Sequence, residues 1–333
     1  MTVQLPARNS FEASKGHTYS YIHLRPKTPA KPTLLFIHGF PSHIPDWTRQ
    51  IDHFASLGYG ILACDLLGFG QSSKPTDPSS YRLKPMADEL CQLLDAAGIK
   101  VAIGIGHDIG CTILSRLAAY HPDRFTALVF LAVGPPKLGT RFGLDLINDM
   151  TRRAMGFELL GYINWLSDRD DGTTRAMLEK NAASAMSLLF ARDRQAWNEW
   201  FHPLHKMRQF VTEDRRVPIG EWYTHDLQQL HLEAFHREGG YTGSTRWYRM
   251  WRDNLFAPDE KGFEELLLSR PTLLIAPSGA EQQEQMLAAW APHLTVHYVD
   301  SGHWVHLERA AETNAAMEKF LDTLSSGGAP GLS

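Results

Sequence analysis

The chain has 333 residues, of which 43% are apolar and 21% are charged, and these proportions argue for a folded globular protein and against a disordered one. Its 33 basic and 37 acidic residues leave a formal net charge of −4, which gives no reason to expect nucleic acid or an anionic membrane as a partner. No apolar run reaches the roughly 18 residues of a membrane span, and residues 1–17 lack the apolar core of a secretory signal. The three cysteines show no paired spacing, and so a reduced, cytoplasmic setting is expected.

Short apolar runs recur along the chain, as expected for strands that are buried on both faces of a parallel sheet. After an alternating stretch that is typical of an edge strand at residues 18–24, these runs occupy residues 33–37, 61–64, 101–105, 127–133, 272–276 and 295–299. Helical spacing of apolar residues separates several of them, most clearly at 84–97 and 110–120. This alternation predicts a mostly parallel, doubly wound α/β sheet.

One long region interrupts the alternation. Residues 135–255 contain no convincing buried strand, and they carry six of the nine tryptophans, namely Trp165, Trp197, Trp200, Trp222, Trp247 and Trp251. We therefore predict an α/β core formed by residues 1–134 and 256–325, with residues 135–255 inserted as a helical cap. The cap aromatics either line an apolar pocket or form the cap's own core. Residues 326–333, rich in glycine and serine, are expected to form a flexible tail.

The most informative stretch joins a predicted strand to a predicted helix and reads Gly106-His107-Asp108-Ile109-Gly110. A Gly-x-Asp-x-Gly pattern in this setting is typical of a nucleophile elbow, a strained turn that projects its central side chain into a site. The helix N-terminus would stabilise an ionised Asp108, which otherwise would serve merely as a helix cap. A carboxylate nucleophile attacks saturated carbon and forms an ester that water then hydrolyses. Since the chain contains no Gly-x-Ser-x-Gly or Gly-x-Cys-x-Gly, a serine or thiol esterase is not expected.

Two other loops supply partners for such a nucleophile. The sequence His38-Gly39-Phe40-Pro41 follows the strand at 33–37, where the N–H of Phe40 and that of Ile109 would form an oxyanion hole. The sequence Gly302-His303-Trp304 follows the last predicted strand, so that His303 is the expected general base. No metal-ligand spacing and no dinucleotide-binding motif supports a cofactor, and none is expected.

Together these segments resemble the epoxide hydrolases of the α/β-hydrolase fold, especially the soluble fungal ones. The similarity extends from about residue 10 to about residue 325 and is carried by HGFP (38–41), DLLGFGQSSKP (65–75), GHDIG (106–110), YHPDRFTALVFLAVG (120–134), RWYRM (246–250) and SGHWVHLE (301–308). The resemblance implies that an epoxide is opened to a vicinal diol through an ester on Asp108, which water activated by His303 hydrolyses. It also implies that two cap tyrosines, matched by Tyr248 and Tyr162, hold the epoxide oxygen and act as acid.

The resemblance implies an orienting acid after the strand at 272–276 as well, but this chain has Ala280 at the expected position. Glu281 is the nearest substitute, and Glu284 is the second candidate. Because such an acid orients the base and stabilises its charged form, ester hydrolysis would be slow if neither glutamate reached His303.

Several functional alternatives stay open. The same nucleophile would serve a haloalkane-type dehalogenase, with Trp47 and the cap tryptophans as halide donors. A missing triad acid would instead favour a pathway-specific ring-opening or cyclising enzyme, or a non-catalytic ligand-binding relative. For the leading hypothesis, the expected partners are water and a small, mainly apolar epoxide in contact with Trp47 and Trp304. Homodimerisation stays open.

Overall fold

In this computed structural model the structure describes residues 5–169 and 171–325. The tail predicted at 326–333 lies outside the described residues. The chain divides into two compact units, which we call the helical unit and the sheet unit. The helical unit comprises Leu67–Arg82 and Arg141–Pro258, and the sheet unit comprises the rest of the described chain.

The sheet unit is built on eight strands in the order β1-β2-β4-β3-β5-β6-β7-β8. The strands are β1 (Arg8–Glu12), β2 (Thr18–Leu24), β3 (Thr33–Ile37), β4 (Gly60–Cys64), β5 (Ala102–His107), β6 (Phe125–Leu131), β7 (Thr272–Pro277) and β8 (Leu294–Val299). Strands β3 to β8 are parallel, whereas β1 and β2 are antiparallel to their neighbours. All residues of β3, β4 and β5 are buried, and this explains their unbroken apolar sequences. The predicted mostly parallel α/β sheet is therefore confirmed.

The prediction that residues 18–24 form an edge strand is wrong, because β2 pairs with β4 on one side and with β1 on the other. Strand β1 escaped prediction since most of its side chains are exposed and its sequence carries no apolar run. It is held by Arg8, whose guanidinium lies 2.6 Å from the buried carboxylate of Asp65. The other Asp65 oxygen accepts a hydrogen bond from the N–H of Ile44 at 2.9 Å.

Six helices belong to the sheet unit: α1 (Thr48–Ser56), α2 (Leu83–Ala96), α3 (Ile109–Tyr120), α12 (Glu281–Ala288), α13 (Val305–Glu308) and α14 (Ala310–Ser325). The helical unit contains α4 (Leu144–Met155), α5 (Gly161–Leu166), α6 (Asp171–Lys180), α7 (Ala182–Leu189), α8 (Lys206–Thr212), α9 (His225–Phe235) and α10 (Thr242–Arg252). Helix α11 (Ala257–Glu260) contains the boundary between the units. Within the described ranges, no helix has the length and apolar character needed to cross a bilayer.

Leu67–Arg82 groups with the helical unit, although the sequence had assigned it to the first part of the core. The physical reason is close packing against α10. The indole N–H of Trp247 donates a hydrogen bond to the carbonyl of Leu67 at 3.1 Å, and its ring contacts that of Tyr81. The backbones of Gly68 and Gly243 touch so closely that a Cβ on Gly243 would lie 2.1 Å from the Gly68 carbonyl oxygen. These contacts are long-range in sequence, and no local pattern indicates them.

Helix α3, which follows Asp108, is anchored near its far end by a buried ion pair. The Nε of Arg116 lies 2.7 Å from Oε1 of Glu260, and their side chains are 1% and 0% exposed. Arg116 also donates to the carbonyl of Pro136 at 2.6 Å, and Glu260 accepts from the N–H of Gly139 at 2.7 Å. Because both buried charges have several hydrogen-bond partners, the pair is tolerated in the interior.

We expect Arg116→Ala to lower the free energy of unfolding by about 3–5 kcal/mol, because it leaves the buried Glu260 carboxylate without its cation. Urea unfolding followed by tryptophan fluorescence measures the loss. Arg152→Ala is the matched control, since Arg152 pairs with Asp149 on the surface of α4 with both side chains more than half exposed. Its loss should stay below about 1 kcal/mol. Equal losses in the two variants would contradict an anchoring role for the buried pair.

Candidate active site

Asp108 lies in the one-residue turn between the end of β5 at His107 and the start of α3 at Ile109. Its backbone has φ 54° and ψ −122°, a strained conformation for a residue with a side chain. The two flanking glycines make this turn possible. A Cβ on Gly106 would lie 2.7 Å from the carbonyl oxygen of Gly110, and a Cβ on Gly110 would lie 2.1 Å from that of Ile37. The turn therefore has the geometry expected of an elbow.

One oxygen of the Asp108 carboxylate is held by a backbone N–H group. Oδ1 accepts a hydrogen bond from the N–H of Phe40 at 2.9 Å, and the nearby N–H of Ile109 also favours the charged carboxylate. Gly39 permits this approach, since a Cβ at that position would lie 2.5 Å from Asp108 Oδ1. Burial raises the pKa of Asp108, and the two N–H groups oppose that shift by favouring the charged form. The structure thus brings together the nucleophile and the two N–H groups predicted for an oxyanion hole.

His38 fixes the loop that carries Phe40. Its ring is buried, with Nε2 accepting from the N–H of Leu66 at 2.9 Å and Nδ1 lying 2.9 Å from the carbonyl oxygen of Gly39. These bonds require the tautomer with hydrogen on Nδ1. Burial lowers the pKa of His38, which favours this neutral form. The hydrogen bonds of His38 therefore fix the loop that carries Phe40.

The second oxygen of Asp108 faces the predicted base. The distance from Oδ2 of Asp108 to Nε2 of His303 is 3.5 Å, and the two side chains are 21% and 20% exposed. His303 lies in the loop between β8 and α13, whereas Asp108 follows β5. The two residues are far apart in sequence, but both follow the carboxyl ends of parallel strands and so lie at the same end of the sheet. The two carboxylate oxygens consequently have different surroundings, Oδ1 bound by the N–H of Phe40 and Oδ2 next to an imidazole.

The loop that carries His303 is held by side chains that the sequence analysis missed. The Glu308 carboxylate accepts hydrogen bonds from the N–H of Gly302 at 2.7 Å and of Trp304 at 3.1 Å. Nε2 of His107 lies 3.0 Å from the carbonyl oxygen of His303. Burial lowers the pKa of His107 to about 3, so that its ring is neutral and donates through Nε2. No sequence motif predicts that a side chain will bind the backbone of this loop. The one sequence feature that pointed to Glu308 was its position within SGHWVHLE, the segment that also contains His303.

The two candidate orienting acids lie on α12. Glu281 is the first residue of this helix, and its side chain is exposed. Glu284 accepts a hydrogen bond from the hydroxyl of Tyr298. Between them, Gln283 binds the N–H of Gly134 through its side-chain oxygen at 3.0 Å. The role predicted for Glu281 in orienting His303 stays a prediction.

The two aromatic residues predicted to bind substrate have different surroundings. Trp304 is buried, and its ring meets that of His303 edge to face, with centroids 5.2 Å apart. Trp47 is fully enclosed in the apolar core of the sheet unit, 5.1 Å from Phe36 and 4.5 Å from His306 between ring centroids. Substrate contact with Trp47 would require this packing to open. Contact with either residue stays a prediction.

The two predicted cap tyrosines are neighbours within the helical unit. Tyr248 lies on α10 and is buried, whereas Tyr162 lies on α5 and is half-buried. Their rings meet edge to face, with centroids 5.7 Å apart at 88°. Tyr162 also stacks on Phe201 at 4.1 Å. Of the six tryptophans predicted for the cap, Trp165 and Trp247 are buried and the other four are half-buried.

Comparison with known proteins agrees with this geometry. A family model described as the α/β hydrolase fold matches residues 32–310. "Bifunctional epoxide hydrolase 2" of Sus scrofa is 25% identical over 301 residues, which cover 88% of this chain and 52% of that protein, so that the chain spans about half the length of this relative. "Epoxide hydrolase" of Caballeronia sordidicola is 28% identical over 306 residues, which cover 89% of each chain.

A solved structure of Epoxide Hydrolase A from Mycobacterium thermoresistibile is also similar. It superposes with a TM-score of 0.79 at 26% identity and covers 96% of this chain and 98% of its own. The resemblance to epoxide hydrolases that the sequence indicated is confirmed by these similarities. Since the family model matches most of the chain and the parallel sheet carries the expected elbow, the chain belongs to the α/β hydrolase fold family.

Proposed function

We propose that this protein is an epoxide hydrolase, which opens an epoxide to a vicinal diol through an ester on Asp108. The observation that carries the proposal is the difference between the two oxygens of that carboxylate. Oδ1 is bound by the N–H of Phe40, and Oδ2 lies 3.5 Å from Nε2 of His303. Relatives named as epoxide hydrolases, which share 25–28% identity over most of the chain, support an epoxide hydrolase activity.

In the first half-reaction, Oδ2 of Asp108 attacks a ring carbon of the epoxide. The bond from Oδ2 to carbon forms as the carbon–oxygen bond of the ring breaks, and negative charge develops on the departing oxygen. A phenol, with an ordinary pKa of about 10, can donate its proton as that charge develops. We assign this task to Tyr248 and Tyr162, and the contact between their rings supports a joint action on one oxygen atom.

In the second half-reaction, Nε2 of His303 removes a proton from water, and the water oxygen attacks Cγ of Asp108. The oxyanion that forms on Oδ1 is stabilised by the N–H of Phe40, which already binds Oδ1, and by the nearby N–H of Ile109. The bond between Cγ and Oδ2 then breaks, and the product leaves as a diol that carries Oδ2. The proton held by His303 passes to the product alkoxide. The second proton of the water is released when the Asp108 carboxyl ionises, and it replaces, through solvent, the proton that the tyrosine gave to the epoxide oxygen.

The finer features of the proposal concern substrate and setting. A small, mainly apolar epoxide is proposed as the substrate, with Trp304 next to His303 as its closest aromatic contact. A reducing, cytoplasmic setting is proposed too, and it is supported by the unpaired thiols of Cys64, Cys91 and Cys111.

Replacement of the base should separate the two half-reactions. We expect His303→Gln to accumulate a covalent adduct on Asp108, because alkylation needs no base whereas ester hydrolysis loses roughly 10²-fold or more in rate without one. Asp108→Asn should form no adduct and no diol. Intact-protein and peptide mass spectrometry after mixing with a styrene-oxide-type substrate measures both outcomes.

Asp95→Asn is the control for these variants, since Asp95 is an exposed acid that pairs with Arg124. It should turn over substrate like the unchanged protein. Diol formation by Asp108→Asn would contradict the proposal. So would the absence of an adduct with the epoxide in His303→Gln, if the unchanged protein released halide from haloalkanes. The second outcome would favour dehalogenation by the same nucleophile.

The orienting acid can be identified by the lifetime of the adduct. We expect Glu281→Gln to slow adduct hydrolysis by roughly 10-fold or more, because the acid stabilises the imidazolium that forms as water attacks. Glu284→Gln tests the second candidate in the same way, since Glu284 lies one helical turn further on and binds Tyr298. Rapid-quench measurement of the adduct gives both lifetimes. Slower hydrolysis in Glu284→Gln alone would assign the role to Glu284, and unchanged lifetimes in both would exclude an orienting role for either.

A further inference from the structure

Two side chains form hydrogen bonds with three backbone groups around His303. The N–H groups of the residues before and after it, Gly302 and Trp304, both donate to Glu308, and its own carbonyl accepts from Nε2 of His107. Glu308 is the last residue of α13, two positions before the start of α14, and its carboxylate binds the loop that precedes α13. Three consecutive backbone groups of the base loop are therefore fixed by two side chains.

His107 connects this loop to the nucleophile. It is the last residue of β5 and immediately precedes Asp108 in the chain. The end of β5 is therefore joined covalently to the nucleophile and by a hydrogen bond to the loop that carries His303. The ring of His107 cannot shift freely, because it is buried between His306 and Trp304, with centroid distances of 4.4 and 5.1 Å. The distance between the base and the nucleophile is thus set by packing as well as by hydrogen bonds.

We infer that Glu308 and His107 are positioning residues, which orient His303 from its backbone and serve the hydrolysis of the ester more than its formation. This inference rests on the proposed function. A triad acid usually orients the base through its side chain. Here Glu308 and His107 restrict the same imidazole through the main chain that carries it, in a chain that has Ala280 where the resemblance implies the usual acid.

The chemistry of Glu308 predicts a sharp response to a small change. A carboxylate accepts at both oxygens, whereas a glutamine amide accepts at one and donates at the other. In Glu308→Gln, one of the two N–H groups of the loop would face an amide NH₂, and two donors cannot bind each other. The loop would then lose one hydrogen bond and shift by tenths of an ångström, while Asp108, Phe40 and Ile109 keep their contacts.

The experiment measures the two half-reactions separately by rapid quench with a chromogenic epoxide. In Glu308→Gln we expect adduct hydrolysis to slow by roughly 10–100-fold, by analogy with the loss that follows removal of a hydrogen-bond partner orienting a metal-binding histidine. Adduct formation should stay within roughly threefold, since it requires Asp108 and not the base. The matched control is Glu312→Gln on α14, an exposed acid 3.8 Å from His297 that should leave both rates unchanged.

His107 offers a second test with a conservative rescue. His107→Phe keeps an aromatic ring between His306 and Trp304 but removes the donor to the His303 carbonyl, and it should slow adduct hydrolysis selectively. His107→Gln carries an amide NH₂ where the imidazole carries Nε2–H, and it should recover part of the lost rate. A merely structural role would lower the fraction of active protein, reported by the burst amplitude, without changing the ratio of the two rates.

Equal slowing of both half-reactions in Glu308→Gln, or unchanged hydrolysis in both Glu308→Gln and His107→Phe, would overturn the inference. These outcomes differ from failure of the proposed function. If the unchanged protein forms no adduct at all, the ester mechanism is wrong. If the adduct forms and clears at the same rate in every variant, the ester mechanism stands and only the positioning role is excluded.

Discussion

The site depends on one constraint, which is that a carboxylate must stay charged and directed while it lies in a tight turn at the end of a buried strand. Burial works against the charge of Asp108, and two backbone N–H groups and the start of a helix work in its favour. Glycines at positions 39, 106 and 110 exist because the chain leaves no room for a Cβ around that turn. The strained backbone is stabilised by the surrounding strands and by α3, whose far end is held by Arg116 and Glu260.

The sequence is sufficient to predict the parallel strands of the sheet and the residues that follow their carboxyl ends. It is less informative about the segments that pack against those strands. Parallel strands buried on both faces must be apolar throughout, and so β3 to β7 are visible as continuous runs. Since the carboxyl ends of these strands meet at one edge, the motifs that follow them predict Phe40, Asp108 and His303 as one cluster. Strand β1 and the packing of Leu67–Arg82 on α10 depend on exposed residues and on long-range contacts, which no local pattern reveals.

The hydrogen bonds around His303 show where sequence reasoning about the site ended. A search for a triad acid considers carboxylates that follow a particular strand, and it leads to Glu281 and Glu284. The structure instead draws attention to Glu308, which binds backbone N–H groups on both sides of the base. Glu308 and His107 thus hold the loop of His303 through its backbone, and in this arrangement Nε2 of His303 lies 3.5 Å from Oδ2 of Asp108.

The central claim is that the oxygen added to the substrate comes from Asp108 and that water replaces it on the enzyme. A single turnover in water enriched in oxygen-18, with the enzyme in excess over an epoxide, tests this claim most directly. Mass spectrometry should find an unlabelled diol and one heavy oxygen in the peptide that contains Asp108, because water attacks Cγ and Oδ2 departs with the product. A labelled diol with an unlabelled Asp108 peptide would mean that water attacks the epoxide itself, and the ester mechanism would be wrong.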